Sequence, residues 1–139
     1  MATQIFYTLE SCRKSATERQ TAYAASVLHL FKAPFVPTSS TTKAELTAEE
    51  CDFDDYTTKA LAAWNAPILA PGSGYEIVSP LVQWICTGDQ AVPNDVGGVW
   101  MEDAGGIVRM VVVFDTPVPM ALNDQGIPFN LVDFFPTGV

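Results

Sequence analysis

Basic residues are scarce in this 139-residue chain. Seven Lys and Arg stand against sixteen Asp and Glu, a formal charge of −9, and Arg109 is the only basic residue after Lys59. A chain so charged is repelled by a phosphate backbone and by anionic lipid, so no direct nucleic-acid or membrane-surface contact is expected. Charged residues of both signs make up 17% of the chain, below the roughly 25% of an ordinary globular domain, whereas apolar residues make up 48%. That balance excludes a disordered, solvated tail and predicts that part of the surface is covered by a partner.

Cysteine is equally sparse. Cys12, Cys51 and Cys86 are odd in number, widely spaced and without a CxxC pair, which predicts reduced thiols rather than a disulfide framework. Cys86 lies in an apolar run and reads as a small core residue. No window approaches the 18 uninterrupted apolar residues of a membrane-spanning helix. The opening MATQIFYTLES lacks the basic region and apolar stretch of a signal peptide, and none is expected.

Only one imidazole is present, at His29. A nucleophilic triad needs a base beside a Ser or Cys, and nothing in the sequence places one beside His29, which reads as a structural histidine. Four scattered Cys and His residues offer no zinc spacing. The acidic run from Glu49 to Asp55 lacks the alternating ligands and central glycine of a calcium loop, and Phe53 interrupts it. Glu76, Glu102, Asp103 and Asp115 fall at or near strand ends, where a glycosidase pair would need to flank a cleft. Gly97-Gly98 and Gly105-Gly106 lack the phosphate-loop pattern. No catalytic, cofactor-binding or metal-ligating residues are assigned, no cofactor is expected, and the chain is not expected to be an enzyme. Trp64, Trp84, Trp100 and Tyr75 are the candidates for a sugar-stacking groove, or else core aromatics.

What the sequence does contain is strand signal. Residues 1–25 read as an N-terminal arm, with Ile5–Leu9 as a short strand and Ser15–Ala25 as a helix capped by Ser15 with Glu18. Residues 26–139 read as a single β-sandwich domain. Val27–Phe31 is its first strand, and Thr42 with Glu45, or Thr47 with Glu50, caps a short helix across residues 43–51. Extended chain follows at Tyr56–Leu61. Tyr75–Val78 and Leu81–Thr87 are strands split by Pro80.

Val96–Met101 and Ile107–Phe114 form a hairpin about Asp103-Ala104-Gly105-Gly106, since glycine takes the positive φ of the turn. Asp115–Met120 is expected not to pair continuously, because Pro117 and Pro119 carry no donor. Phe129–Phe135 is a last strand, with Phe129, Leu131, Asp133 and Phe135 on one face and Asn130, Val132 and Phe134 on the other. About six or seven strands between Pro and Gly turns predict a mainly β fold, an antiparallel β-sandwich or squashed barrel with one or two short helices.

From Val27 onward the order of elements resembles a family of small uncharacterised proteins of tailed bacteriophages. The likeness runs through Leu30-Phe31-Lys32 and the Pro-Thr-Ser loop, Ala44-Glu45-Leu46-Thr47 before the acidic-aromatic patch, Tyr56–Leu61, and Trp64–Pro67. It continues through Gly98-Val99-Trp100-Met101 and Phe114–Met120. The resemblance implies a virion structural protein, a head-decorating or cement protein or a tail or fibre element, made in the host cytoplasm. As a capsid decoration protein it is expected to self-assemble as a homo-oligomer, a trimer, on the major capsid protein. The N-terminal segment and the loops at residues 34–42 and 117–120 are the expected contacts, with Phe134 or Phe135 covered by another subunit or by the N-terminal arm. A carbohydrate or host-surface binding module of a tail or fibre is the alternative.

Overall fold

The computed structural model describes residues 7–61, 63–70 and 74–137. Its elements are α1 (Leu9–Ala22), β1 (Val27–Lys32), α2 (Lys43–Ala48), β2 (Lys59–Ala60), β3 (Ile68–Leu69), β4 (Gly74–Val78), β5 (Val82–Ile85), β6 (Asn94–Glu102), β7 (Val108–Met120), β8 (Gly126–Phe129) and β9 (Val132–Pro136). The strands form three antiparallel sheets, ordered β2-β1-β6-β7, β3-β4-β9 and β5-β8. The fold is mainly β with two short helices, a sandwich-like arrangement.

Alternation along β1 sets the layers. Leu28 and Leu30 point into the main core with Val96, Val99 and Met101 of β6, and meet Ile77 of β4, Trp84 of β5 and Ile127 of β8. His29 and Phe31 point to the opposite face of the same sheet, where Phe31, Trp100 and Leu46 of α2 make a second, smaller core. Helix α2 forms where expected: the Thr42 hydroxyl accepts from Glu45 N–H and donates to the Glu45 carboxylate.

The N-terminal helix starts earlier than Ser15. Thr8 is its N-cap and accepts from Ser11 N–H, so Leu9 is helical rather than extended. Ile5 and Phe6 lie outside the described residues. The helix packs on β4 and β9, with Ala16 and Tyr23 in the main core. Arg19 lies over the ring of Phe135, the half-buried partner of the exposed Phe134.

One further expectation is corrected and one is met. The stretch Phe129–Phe135 is two strands: β8 pairs with β5, and β9 pairs with β4. The chain changes sheet at Asn130-Leu131, where Ser79 Oγ accepts from Leu131 N–H and Leu131 O accepts from Ser79 N–H. The alternation of faces survives the break, since Leu131 and Phe135 pack on the core while Val132 and Phe134 are exposed.

Strand β7 extends to Met120, but its pairing with β6 is interrupted, as expected: the register shifts between Val113, opposite Gly98, and Val118, opposite Val96, and pairing resumes only at Val118, Pro119 and Met120 with Val96, Asp95 and Asn94. Pro119 fits this pairing because of the way it faces. Asp95 O accepts from Ala33 N–H on the far side of β6 from β7, so the Asp95–Pro119 pair is a non-hydrogen-bonded one. Pro119 therefore turns its donor-less nitrogen to the open edge. The hairpin from β6 to β7 is as expected, with Gly106 at φ 80° in its turn.

Candidate functional site

His29 is the centre of the most connected polar cluster. Its imidazole lies flat on the Trp100 indole, Nδ1 is 2.5 Å from Glu50 Oε1, and Nε2 is 2.8 Å from Glu102 Oε1. Tyr56 Oη donates to the same Glu50 oxygen at 2.6 Å, and Lys43 Nζ reaches Glu102 Oε2 at 2.6 Å. The imidazole thus bridges the two carboxylates, one at each ring nitrogen. Partial burial pulls the Glu102 carboxyl up, but Lys43 and His29 outweigh it and hold it below its ordinary range. Burial and the bond to Glu50 push the Tyr56 phenol up, keeping it a donor.

This cluster joins β1, β6, α2 and the loop after α2. It has the parts of an acid–base relay but, among the described residues, no Ser, Thr or Cys bonded to the imidazole. Cys51, next in sequence to Glu50, turns into the main core, where burial pushes its thiol up to about 12. Burial raises the Cys86 thiol, with Asp55 and Asp54 adding to it. Cys12 Sγ donates to Pro136 O. All three thiols are free and buried, and a thiol held protonated is a poor nucleophile. Ser26 and Ser79 hydroxyls donate to backbone carbonyls. The geometry describes a clamp.

The acidic run is likewise structural. Asp52 Oδ1 accepts from Asn94 Nδ2, Asp54 Oδ2 from Ala91 N–H, and Asp55 Oδ2 from both Thr87 N–H and Gln90 Nε2. Asn94 Oδ1 accepts from Asp52 and Phe53 N–H in return. The bond from Thr87 N–H, aided by Gln90, lowers the Asp55 carboxyl. The carboxylates thus point to separate backbone and side-chain amide donors and tie two loops together. Among the described residues, no group of three His, Cys, Asp or Glu could hold a metal ion.

Trp64, Trp84 and Trp100 are at most 2% exposed. Trp64 packs on Tyr23, Trp84 Nε1 donates to Thr57 O, and Trp100 stacks on His29. They are core aromatics and do not rim a sugar groove. The four strand-end acids are not gathered in a cleft either. Glu102 belongs to the His29 cluster, and Asp103 caps its own turn by accepting from Gly105 N–H, Ile107 N–H and Arg109 Nε. Glu76 and Asp115 lie on two different sheets.

What remains for function is surface. The pairing Ile68–Glu76–Phe134 and the pairing Val78–Val132 put apolar side chains on one outer face of the β3-β4-β9 sheet, with Phe134 46% exposed. Phe134 also lines a cleft of about 450 Å³ with Tyr7, Ser11 and Ser15. A second cleft, of about 420 Å³, lies between the Pro37–Thr41 loop and Arg109, Val111 and Val113 of β7. Sequence reasoning saw exposed-looking aromatics in β9 but could not find their partners, since Ile68 and Phe134 are 66 positions apart in the chain.

No family model, curated protein or solved structure matches this chain.

Proposed function

We propose that this chain is a virion structural protein, a capsid decoration or cement protein that self-assembles and stabilises the shell through the major capsid protein. It is a scaffold rather than a catalyst, made in the host cytoplasm and carried in the particle. The observation that carries the reading is the largely apolar outer face of the β3-β4-β9 sheet, where Ile68, Val132 and Phe134 stand in solvent around the single carboxylate of Glu76. Grouped apolar side chains on a chain of charge −9 favour contact with another surface, because burying them offsets the mutual repulsion of the copies. Helix α1 packs on the same two strands, β4 and β9.

A trimer closing on this face is the proposed assembly, since a closed ring limits growth and matches threefold positions on a shell. The solution mass of the full-length protein by light scattering tests it. A mass in multiples of three chains, whose threefold contact Phe134→Asp abolishes, is the expected result, followed by co-sedimentation with shells on co-expression with the major capsid protein of the same genome. A mass in multiples of three chains unchanged by Phe134→Asp, or no association with shells, overturns the reading.

A further inference from the structure

We infer that β7 is a self-complementary edge, and that a second copy of this chain pairs with it antiparallel across a two-fold axis at Val112. The inference goes beyond the proposed function, because it concerns another sheet and another symmetry.

Among the described residues β7 ends its sheet, with β6 as its neighbour. The direction of its backbone groups follows from the strands beside it. Leu30 N–H donates to Tyr56 Oη, and Leu30 O accepts from Cys51 N–H, so Leu30 turns its main chain away from β6. Its partner Val99 must then turn its groups toward β7, where it meets Val112. Val112 bonds to β6, while Val111 and Val113 direct N–H and C=O to the open edge. Pro119, beyond the register shift that follows Val113, is oriented separately through Asp95 and also faces the open edge.

The edge segment reads Arg109-Met110-Val111-Val112-Val113-Phe114-Asp115, basic at one end, acidic at the other and apolar between. Reversed against itself about Val112, it sets Val111 opposite Val113 of the second copy, both facing the shared edge, as a hydrogen-bonded pair requires. Met110 meets Phe114, and Arg109 meets Asp115, twice over by symmetry. A shift of one residue pairs edge-facing groups with inward ones and makes no bonds. A shift of two puts Arg109 opposite Val113 or Pro117 and leaves both charges unmatched.

Charge complementarity therefore selects one register. The outer side chains of that ladder, Val111 and Val113, are 36% and 50% exposed. Arg109 is held in place by Asp103 through Nε at 2.7 Å, which leaves the rest of its donor fork for a second carboxylate. The ladder also has stops. Pro117 and Pro119 give the edge no donors beyond Thr116, and at the other end Ile107 O already accepts from Asp103 N–H. A two-fold pairing so bounded closes after one partner and does not grow into a fibre.

Full-length variants test this. In a non-hydrogen-bonded pair the Cα atoms lie about 4.5 Å apart, within disulfide reach, so Val112→Cys should cross-link to itself on mild oxidation. Val111→Cys should not, and the parent chain, with its cysteines buried, should not. Val113→Pro removes a donor that faces the edge and leaves the β6 ladder intact, and Asp115→Lys sets like charges opposite Arg109. Each should weaken the two-chain contact by about tenfold or more in light scattering, with an unchanged circular dichroism spectrum. Absence of the Val112→Cys cross-link, cross-linking of Val111→Cys instead, or a mass indifferent to Val113→Pro and Asp115→Lys overturns the inference. A three-chain mass with no Val112→Cys cross-link overturns the edge pairing alone. The cross-link without a mass in multiples of three chains overturns the trimer alone.

Discussion

The imidazole of His29 and the indole of Trp100 are stacked, with ring centroids 3.8 Å apart and planes 7° from parallel. The two residues are cross-strand partners in the β1–β6 ladder, so register alone brings them together. Stacking covers one face of the imidazole and leaves its two nitrogens to Glu50 and Glu102, residues 21 and 73 positions away.

Removal of His29 should therefore cost more than its volume. His29→Ala leaves two carboxylates facing a void and Trp100 without its cover. Losing one partner of a fully buried ion pair costs about 3–5 kcal/mol, and the partial exposure of Glu50 and Glu102 reduces that to about 2–3 kcal/mol. Urea unfolding should show a lower midpoint with an unchanged slope. A loss under about 0.5 kcal/mol, the usual range of a surface substitution, would show the clamp to be dispensable.

Much of this architecture was legible in the sequence, and the boundary of legibility has a physical form. The strand Val27–Phe31, the Thr42 cap and the 103–106 hairpin depend on neighbours a few residues apart, and each forms where alternation, a hydroxyl or a glycine signals it. The N-cap at Thr8 was masked because Ser15 with Glu18 matches the capping pattern better, while Thr8 is followed three residues later by Ser11. The resumption of β7 pairing at Val118–Met120 depends on which edge the Pro119 nitrogen faces. The partners of His29 depend on register between strands 73 residues apart. Neither is a property of a local window.

Acid should loosen the fold through its carboxylates. The backbone donor Ile107, with Arg109 and Gly105, holds the Asp103 carboxyl below its ordinary value in the folded chain. Asp55 and Glu102 are lowered too. The unfolded chain then takes up protons first as the pH falls. The contribution of these groups is complete above the unfolded values of about 4 and is lost as the pH drops through the lower folded ones. Asp103→Asn should reduce stability at pH 7 and flatten the acid limb, so that parent and variant converge near pH 2. Parallel stability curves between pH 7 and pH 2 would contradict the assignment.

Gly98 should tolerate no side chain. A Cβ there would lie 2.0 Å from Val112 O and 2.6 Å from the Phe31 ring. Gly98→Ala should destabilise the chain at the upper end of the overpacking range, about 3 kcal/mol. Trimming the ring with Phe31→Leu should not rescue it, because the nearest atom is a backbone oxygen of the neighbouring strand. Rescue by Phe31→Leu would place the conflict at the ring instead.

The N-terminal helix should behave as part of the core. Tyr23 closes α1, packs its ring 5.0 Å from that of Trp64, and links Arg19 to Asp133 through its hydroxyl, accepting from the guanidinium at 2.8 Å and donating to the carboxylate at 3.4 Å. Tyr23→Ala should cost about 3–5 kcal/mol, the range of a large buried aromatic. Tyr23→Phe, which keeps the ring and removes the hydroxyl, should cost about 1 kcal/mol. Arg13→Ala, on the exposed side of the same helix, should change little. Equal, small effects of Tyr23→Ala and Arg13→Ala on the urea midpoint would mean that the helix is an appendage resting on the sandwich, and residues 1–25 would then be removable without loss of the β core.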